Sequence, residues 1–163
     1  MKTFNLKLQV TLLAIVLGFA LSACSGDKDE GDFIKLTKGA IGDIDGVYLD
    51  AANNLCAYDN PETSDYSSFS SVSIVSVGKV NGLSDIETIP TSGWNKSVPA
   101  IRNSGYIVKK VTYVWAATSP WTMGWRYATS YARIYVADYI QDVSGIIGVN
   151  VKYEPNWTDN SGK

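Results

Sequence analysis

Histidine is absent from this 163-residue chain. Without an imidazole, the chain cannot build the Ser-His-Asp and Cys-His arrangements that activate hydrolase nucleophiles. The same absence excludes zinc sites that use histidine ligands and the HExxH metalloproteases. The sequence also contains no P-loop and no G-x-G-x-x-G phosphate-binding motif. We therefore predict no catalytic residue, no metal site and no cofactor.

Cysteine is scarce, with only Cys24 and Cys56 in the chain. Two cysteines are too few for a thiolate zinc site. If Cys24 carries a lipid, Cys56 is unpaired and no intramolecular disulfide can form. An unpaired cysteine in an exported protein is either buried or reactive. The apolar neighbours Leu55 and Ala57 favour a buried, structural Cys56.

Long charged helix formers are few, and no segment after residue 23 keeps a 3.6-residue apolar period over a dozen positions. The five Trp and ten Tyr residues all follow residue 23, among many Ser, Thr, Gly and Asn residues. This composition predicts strands and turns. Residues 1–23 contain two lysines and no acid, so 12 basic residues face 16 acidic ones in the remainder, a net charge of −4. Without a basic stripe, no nucleic-acid partner is predicted.

The N-terminus has the pattern of a secretory signal peptide. Lys2 and Lys7 flank the start of a largely apolar run from Val10 to Leu21. An apolar run of about 12 to 14 residues is shorter than the ~20 that a membrane-spanning helix needs. The ending Leu21-Ser22-Ala23-Cys24 resembles the lipobox of bacterial lipoproteins. This resemblance implies cleavage of residues 1–23, diacylglycerol on the Cys24 thiol and a further acyl chain, such as palmitate, on its amine, which together hold a protein stably on a membrane.

Residues 24–33 are predicted to form an acidic, flexible tether. The four acids Asp27, Asp29, Glu30 and Asp32 resemble the export tag of surface lipoproteins in Bacteroidetes, although any tether of this kind would be polar. Ser25, rather than aspartate, follows Cys24, which is compatible with outer-membrane sorting. These resemblances imply a lipid-anchored outer-membrane protein exposed at the cell surface.

The rest of the chain predicts one all-β domain over residues 34–157, with a disordered tail at 158–163. Seven to eight short strands separated by turn residues favour an antiparallel β-sandwich or barrel-like architecture. Residues 59–68 are predicted to be a loop, and Leu83 to Glu87 has room for one helical turn. The strand candidates are residues 33–38, 46–50, 55–58, 70–80, 94–101, 106–116, 131–141 and 145–154.

Several of these segments resemble one family of small Bacteroidetes lipoproteins, which is catalogued as a domain of unknown function. The similar segments are SVGKVNGLSDIETIPTSGW (76–94), Gly105-Tyr106, YARIYVADYI (131–140) and GIIGVNVKYE (145–154). The resemblance covers most of residues 35–155. It implies localisation and family membership, and it implies no activity.

The tryptophan-rich segment WAATSPWTMGWRY (115–127) is the best candidate for ligand binding. Aromatic rings on loops can stack on sugars or lie at a membrane or protein interface. The alternative is that two or three rings close one end of the sandwich. The candidate ligand-binding residues are Trp115, Trp121, Trp125, Arg126 and Tyr127.

Alternation along residues 131–140 predicts two different strand faces. One face carries Tyr131, Arg133, Tyr135, Ala137 and Tyr139, and its first three residues form a possible recognition platform with Arg133 stacked between the tyrosines. The other face carries Ala132, Ile134, Val136 and Ile140, joined by Asp138. A carboxylate on an apolar face needs a partner, unless the strand end curls into solvent or Asp138 bonds backbone amides.

A weaker motif, Gly42-Asp43-Ile44-Asp45-Gly46, faintly resembles the start of a calcium loop. It lacks the further oxygen ligands of an EF-hand, so a solvated turn is the favoured interpretation.

Three functions follow from these patterns. The leading one is a non-catalytic, lipid-anchored envelope domain that binds a glycan or a protein partner. The first alternative is a structural or assembly subunit of an envelope complex. The second alternative is a hydrolase with two carboxylates, which requires two acids to converge in a cleft.

Overall fold

The computed structural model describes residues 33–44, 46–59, 70–119 and 121–159, without the side chains of residues 41–43. The predicted signal peptide, Cys24, most of the tether, most of the 59–68 loop and the end of the tail lie outside these residues. Among the described residues, no helix is long and apolar enough to cross a membrane.

The described part of the chain contains nine strands and one short 3-10 helix at Leu83–Asp85. This confirms the predicted all-β class, and the helical turn falls where the sequence placed it. The strand β2 was not predicted, because its residues were interpreted as a turn. The strands are β1 (Ile34–Thr37), β2 (Ile41–Ile44), β3 (Val47–Leu49), β4 (Asn54–Ala57), β5 (Ser70–Lys79), β6 (Ser97–Pro99), β7 (Ser104–Ser119), β8 (Thr122–Asp142) and β9 (Gly145–Glu154).

The strands form two antiparallel sheets. The larger sheet has the order β1-β9-β8-β7-β5, and the smaller has the order β2-β3-β4-β6. The main hydrophobic core lies between them, because alternating residues of both sheets point towards each other. Its members from the larger sheet include Val72, Tyr106 and Ile134, and those from the smaller sheet include Leu49 and Leu55. The predicted sandwich-like arrangement of two packed sheets is therefore confirmed.

A second, smaller core covers the outer face of the larger sheet. Ile107 on β7 packs there with Leu83, Ile86 and Trp157, which come from the segments after β5 and after β9. Both cores are built from residues 34–157. A chain that begins at residue 24 therefore keeps all the core residues of the described part of the protein.

The β8 strand contains a bulge that changes its two faces. The pairing with β9 shifts between Val136 and Asp138, and Tyr139 then pairs with Val149 and packs against the main core. A bulge adds one residue to one strand, so the side chains beyond it exchange faces. The predicted strict alternation is correct as far as Val136. It is wrong beyond that point, where Tyr139 replaces Ile140 on the core side.

The β7 and β8 strands are much longer than predicted. The sequence suggested a loop across residues 117–130, but the two strands stay paired from Ser104↔Val136 to Ser119↔Thr122. The last β5 pair is Ser70↔Thr112. From Tyr113 and Tyr127 outwards, no other described strand pairs with this hairpin. We call this two-stranded end, residues 113–127, the ribbon.

Candidate binding surface

The ribbon extends beyond the sandwich as a free pair of strands. Its β7 side runs from Tyr113 to Ser119, which is roughly 20 Å at ~3.4 Å per residue. Its β8 side begins at Thr122, directly after the turn that contains Trp121. The ribbon is continuous with β7 and β8, two interior strands of the larger sheet, which anchor it in both cores.

One face of the ribbon is almost entirely aromatic. Directly opposed residues point to the same face of a sheet, and the pairs here are Tyr113↔Tyr127 and Trp115↔Trp125, followed by a pair that contains Met123. This row continues the outer sheet face that carries the second core. We call these five side chains the ring face.

The rings of the ring face contact one another. The Tyr113 and Trp125 rings stack with their centroids 4.9 Å apart, and Tyr127 tilts against Tyr113 at the same distance. Trp115 meets Trp125 edge to face at 5.5 Å. Both geometries are favourable for aromatic pairs. The rings therefore hold each other in place and stiffen a ribbon that no third described strand supports.

These rings remain exposed to solvent. Trp115 is 53% exposed, Trp125 is 39% exposed and Tyr127 is 73% exposed. Trp121, at the turn, is 94% exposed. The alternative that these rings close one end of the sandwich is therefore wrong. Exposed apolar rings gathered on one projecting face are typical of a surface that binds something.

Arg126 lies on the opposite face of the ribbon. It pairs with Val114, so its side chain points away from the rings, and it is exposed. Lys109 lies on the ring side at the base of the ribbon, with its ammonium 5.6 Å from the centroid of the Trp94 ring. Of the five predicted ligand-binding residues, three share the ring face, Trp121 occupies the turn and Arg126 lies behind.

The predicted platform of Tyr131, Arg133 and Tyr135 is not open. The Arg133 guanidinium donates to the carbonyls of Leu83 and Ile86 at 2.6 and 2.9 Å, and its Nε donates to Glu154 at 2.7 Å. Its aromatic neighbour is Trp157, at 5.4 Å, instead of the two tyrosines.

The segment that contains Leu83 and Ile86 explains this correction, because it covers the predicted platform. Tyr131 and Tyr135 are half-buried and pack against the second core. Arg133 holds the 3-10 turn and the residue after it on the sheet, so it serves the fold at this position. The exposed ring face lies nearer the start of β8, beyond the part of the strand that the 3-10 turn covers.

Asp138 does not lie on the apolar face, and the alternative of a strand end in solvent, with a hydrogen bond to a backbone amide, is the one that the structure shows. The bulge brings it to the surface, where its carboxylate is 3.4 Å from the guanidinium of Arg102 and accepts the backbone N–H of Tyr139. Exposed ion pairs of this kind contribute little to stability. Asp138 therefore belongs to a solvated strand end.

Cys56 is buried and free, as predicted. Its Sγ lies 3.6 Å from Asp50 and 3.4 Å from the Ser97 hydroxyl. Asp50 mainly serves the β3–β4 turn, where it accepts hydrogen bonds from the backbone and side chain of Asn54. These hydrogen bonds lower the pKa of its carboxyl. Among the described residues, no group of three or more Cys, Asp or Glu side chains could hold a metal ion.

A cavity of about 300 Å³ lies at the base of the ribbon, on the side opposite the rings. It is lined by Lys110 and Ser130 from the hairpin and by Tyr153 and Pro155 after it. No acidic side chain lines it.

No protein-family model matches the chain. No curated protein and no solved structure matches it either. The resemblance to small Bacteroidetes lipoproteins therefore stays a prediction, and the function must be inferred from the ribbon itself.

The sequence interpretation missed Tyr113, Met123 and Lys109 as parts of this surface. The signal was present in the sequence, because Tyr113 and Trp115, and likewise Met123, Trp125 and Tyr127, are spaced two residues apart. That spacing is typical of one strand face. The Gly and Pro residues between them suggested a loop and concealed it.

Proposed function

We propose that this protein is a non-catalytic, lipid-anchored domain of the outer cell envelope, and that the ribbon is its binding element. The observation that carries the proposal is the ring face, a cluster of exposed aromatic side chains on a hairpin that both cores anchor. The energy of binding sites is concentrated in such aromatic residues. Removing them should cost the fold little, since they contact one another rather than either core.

The ligand classes suggested by the sequence, a glycan or an envelope protein, are both present in isolated outer-membrane envelopes. We expect the mature chain, residues 24–163 with Cys24→Ser, to co-sediment with such envelopes. The double variant Trp115→Ser/Trp125→Ser should bind at least about tenfold more weakly, because it removes the two largest rings of the ring face. Sedimentation with a dilution series of envelopes measures the affinity.

Val143→Ser is the matched control for this experiment. Val143 is a fully exposed apolar residue in the β8–β9 turn, at the opposite end of β8 from the ribbon. The control should bind as the wild type does. Equal binding by the wild type and the double variant would refute the ribbon as the binding element.

The anchor is tested separately at Cys24. The full chain, produced in a Gram-negative host with labelled palmitate, should incorporate the label and lose residues 1–23. Cys24→Ala should incorporate no label, because the thiol is the acceptor of diacylglycerol and cleavage follows its modification. Cys56→Ala is the control and should label normally. Label on Cys24→Ala, or none on the wild type, would show that the anchor is assigned wrongly.

A further inference from the structure

The charge and ring geometry of the ribbon indicate the class of its ligand, an inference that rests on the proposed function. We infer that the ring face and the Trp121 turn dock on the surface of an anionic lipid bilayer, the same membrane that holds the lipid on Cys24. The proposal concerns the interfacial region of that bilayer, where headgroups meet acyl chains.

The charge pattern around the ribbon favours an anionic partner. No Asp or Glu occurs between Glu87 and Asp138, although the whole chain has a net charge of −2. The charged residues from 109 to 127 are all basic: Lys109, Lys110 and Arg126. Each basic residue close to an anionic membrane surface adds to the attraction. An acid-free hairpin on an acidic protein is therefore complementary to anionic headgroups.

The side-chain chemistry of the ribbon fits a membrane interface. Trp and Tyr rings are apolar with one polar group, and they concentrate at the level of lipid headgroups. Trp121 and Met123, at 94% and 56% exposure, lie at the end of the hairpin that is farthest from the cores. The ribbon thus presents its apolar side chains at its tip, with a basic residue at the base of the same face.

The ring contacts argue against a sugar ligand. A sugar stacks on a free, flat ring face. Trp125 is covered on one side by Tyr113, and its edge region is occupied by Trp115. The four rings of the ring face therefore form a mutually packed ridge, and Trp121 at the turn lies outside these contacts. A ridge can enter the soft interface of a bilayer without a matching groove in the partner.

The pairing of β1 shows at which end of the larger sheet the chain enters it. Ile34 pairs with Val151, which pairs with Val136, and β1 runs antiparallel to β9. The chain therefore enters β1 from the end of the sheet where the ribbon projects. Trp121 lies about 50 Å along β8 from Val136, at ~3.4 Å per residue.

The length of the tether limits how far the sandwich can lie from a lipid on Cys24. Residues 24–33 can span at most ~35 Å when fully extended. A lipid on Cys24 therefore keeps the row of Ile34 and Val136 within about that distance of the membrane. The ~50 Å from Val136 to Trp121 exceeds this span, so the tether is compatible with contact between the ribbon's tip and the membrane that holds the lipid.

The test uses vesicles of phosphatidylcholine, alone or with about 30 mol% phosphatidylglycerol as the anionic component. The mature chain with Cys24→Ser should bind the anionic vesicles, with a blue shift of tryptophan emission and quenching by brominated acyl chains. Binding should weaken as salt rises, because surface charges are screened. Trp115→Ser/Trp125→Ser should weaken vesicle binding at least about tenfold.

Charge-reversal variants distinguish the contribution of the ribbon's own basic charge from the effect of the protein's net charge. Arg126 lies behind the rings, but the ribbon is only one sheet thick, so its charge stays close to a surface that the rings and the turn contact. Arg126→Glu should therefore weaken binding to anionic vesicles by about fivefold, since one charge near the surface is worth ~1 kcal/mol. Lys79→Glu is the control, because Lys79 is exposed at the end of β5 far from the ribbon. It should change the affinity less than Arg126→Glu does. Equal effects of the two reversals would overturn the orientation that we propose.

Three results would overturn this inference. Absence of binding to anionic vesicles, while envelope binding still depends on the ring face, would assign the ribbon to a protein or glycan partner and leave the proposed function intact. Vesicle binding that the double variant retains would place the lipid contact elsewhere. Ring-dependent binding to a soluble envelope polysaccharide, without binding to vesicles, would establish the glycan alternative.

Discussion

Replacing Tyr106 with alanine is expected to lower the free energy of unfolding by about 3–5 kcal/mol, the usual cost of removing a buried aromatic ring. Tyr106 is fully buried in the main core, on β7 of the larger sheet. Its hydroxyl donates to the Pro99 carbonyl and accepts the Ile101 N–H, both at 2.7 Å. One side chain therefore ties the two sheets together by packing and by hydrogen bonds.

Tyr106→Phe separates these two contributions. It keeps the ring and removes the hydroxyl, which leaves the Ile101 N–H and the Pro99 carbonyl without this partner. The expected loss is about 1–3 kcal/mol. Tyr127→Phe, at the exposed ring face, should change the stability by no more than ~0.5 kcal/mol. Denaturant unfolding measures all three variants, and a loss below ~1 kcal/mol for Tyr106→Ala would contradict the described core.

Replacing Gly148 with alanine is the second large effect that we expect. A Cβ at Gly148 would lie 2.6 Å from the backbone oxygen of Leu36 and 3.3 Å from Cδ1 of Ile140. The oxygen belongs to β1, so the strand must move to make room, and overpacking of this kind typically costs about 1–3 kcal/mol. Hydrogen exchange should show β1 opening before the rest of the larger sheet.

Gly124→Ala is the matched control. Its Cβ would lie 2.9 Å from Cγ2 of Thr118, a side-chain atom on the exposed ribbon that can turn away. Its expected effect is within ~0.5 kcal/mol. If the two glycine variants were equally stable, the close approach of β1 to β9 would be refuted.

The sequence predicted the fold well where strands alternate regularly. Residues 145–154 form β9 as predicted, and the short strands around Tyr48 and Leu55 were found through the turn residues between them. The strand β2 was missed because glycines and aspartates surround its two isoleucines. Such composition indicates a turn unless a partner strand is known.

The two larger errors have causes that the spacing of apolar residues does not reveal. A bulge carries no reliable sequence signal, so the exchange of faces after Val136 could be seen only from the β8–β9 pairing. The cover over Arg133 depends on a segment about fifty positions earlier in the chain. Contacts between such distant segments are set by the whole fold.

The candidate surface was identified in part. The sequence pointed to the correct tryptophans but suggested a loop, since Gly124 and Pro120 interrupt the aromatic pattern. Cross-strand pairing turns the same residues into one face and adds Tyr113 and Met123. Cys24 lies outside the described residues, so its lipidation and the predicted localisation stay predictions.

The most direct test of this account compares stability and binding in one protein, Trp115→Ser/Trp125→Ser. If the ring face is a binding surface and contributes nothing to either core, its free energy of unfolding should stay within about 1 kcal/mol of the wild-type value. Its affinity for isolated envelopes should fall at least about tenfold in the same preparation. A variant that loses several kcal/mol of stability, or that binds as tightly as the wild type, would contradict the account.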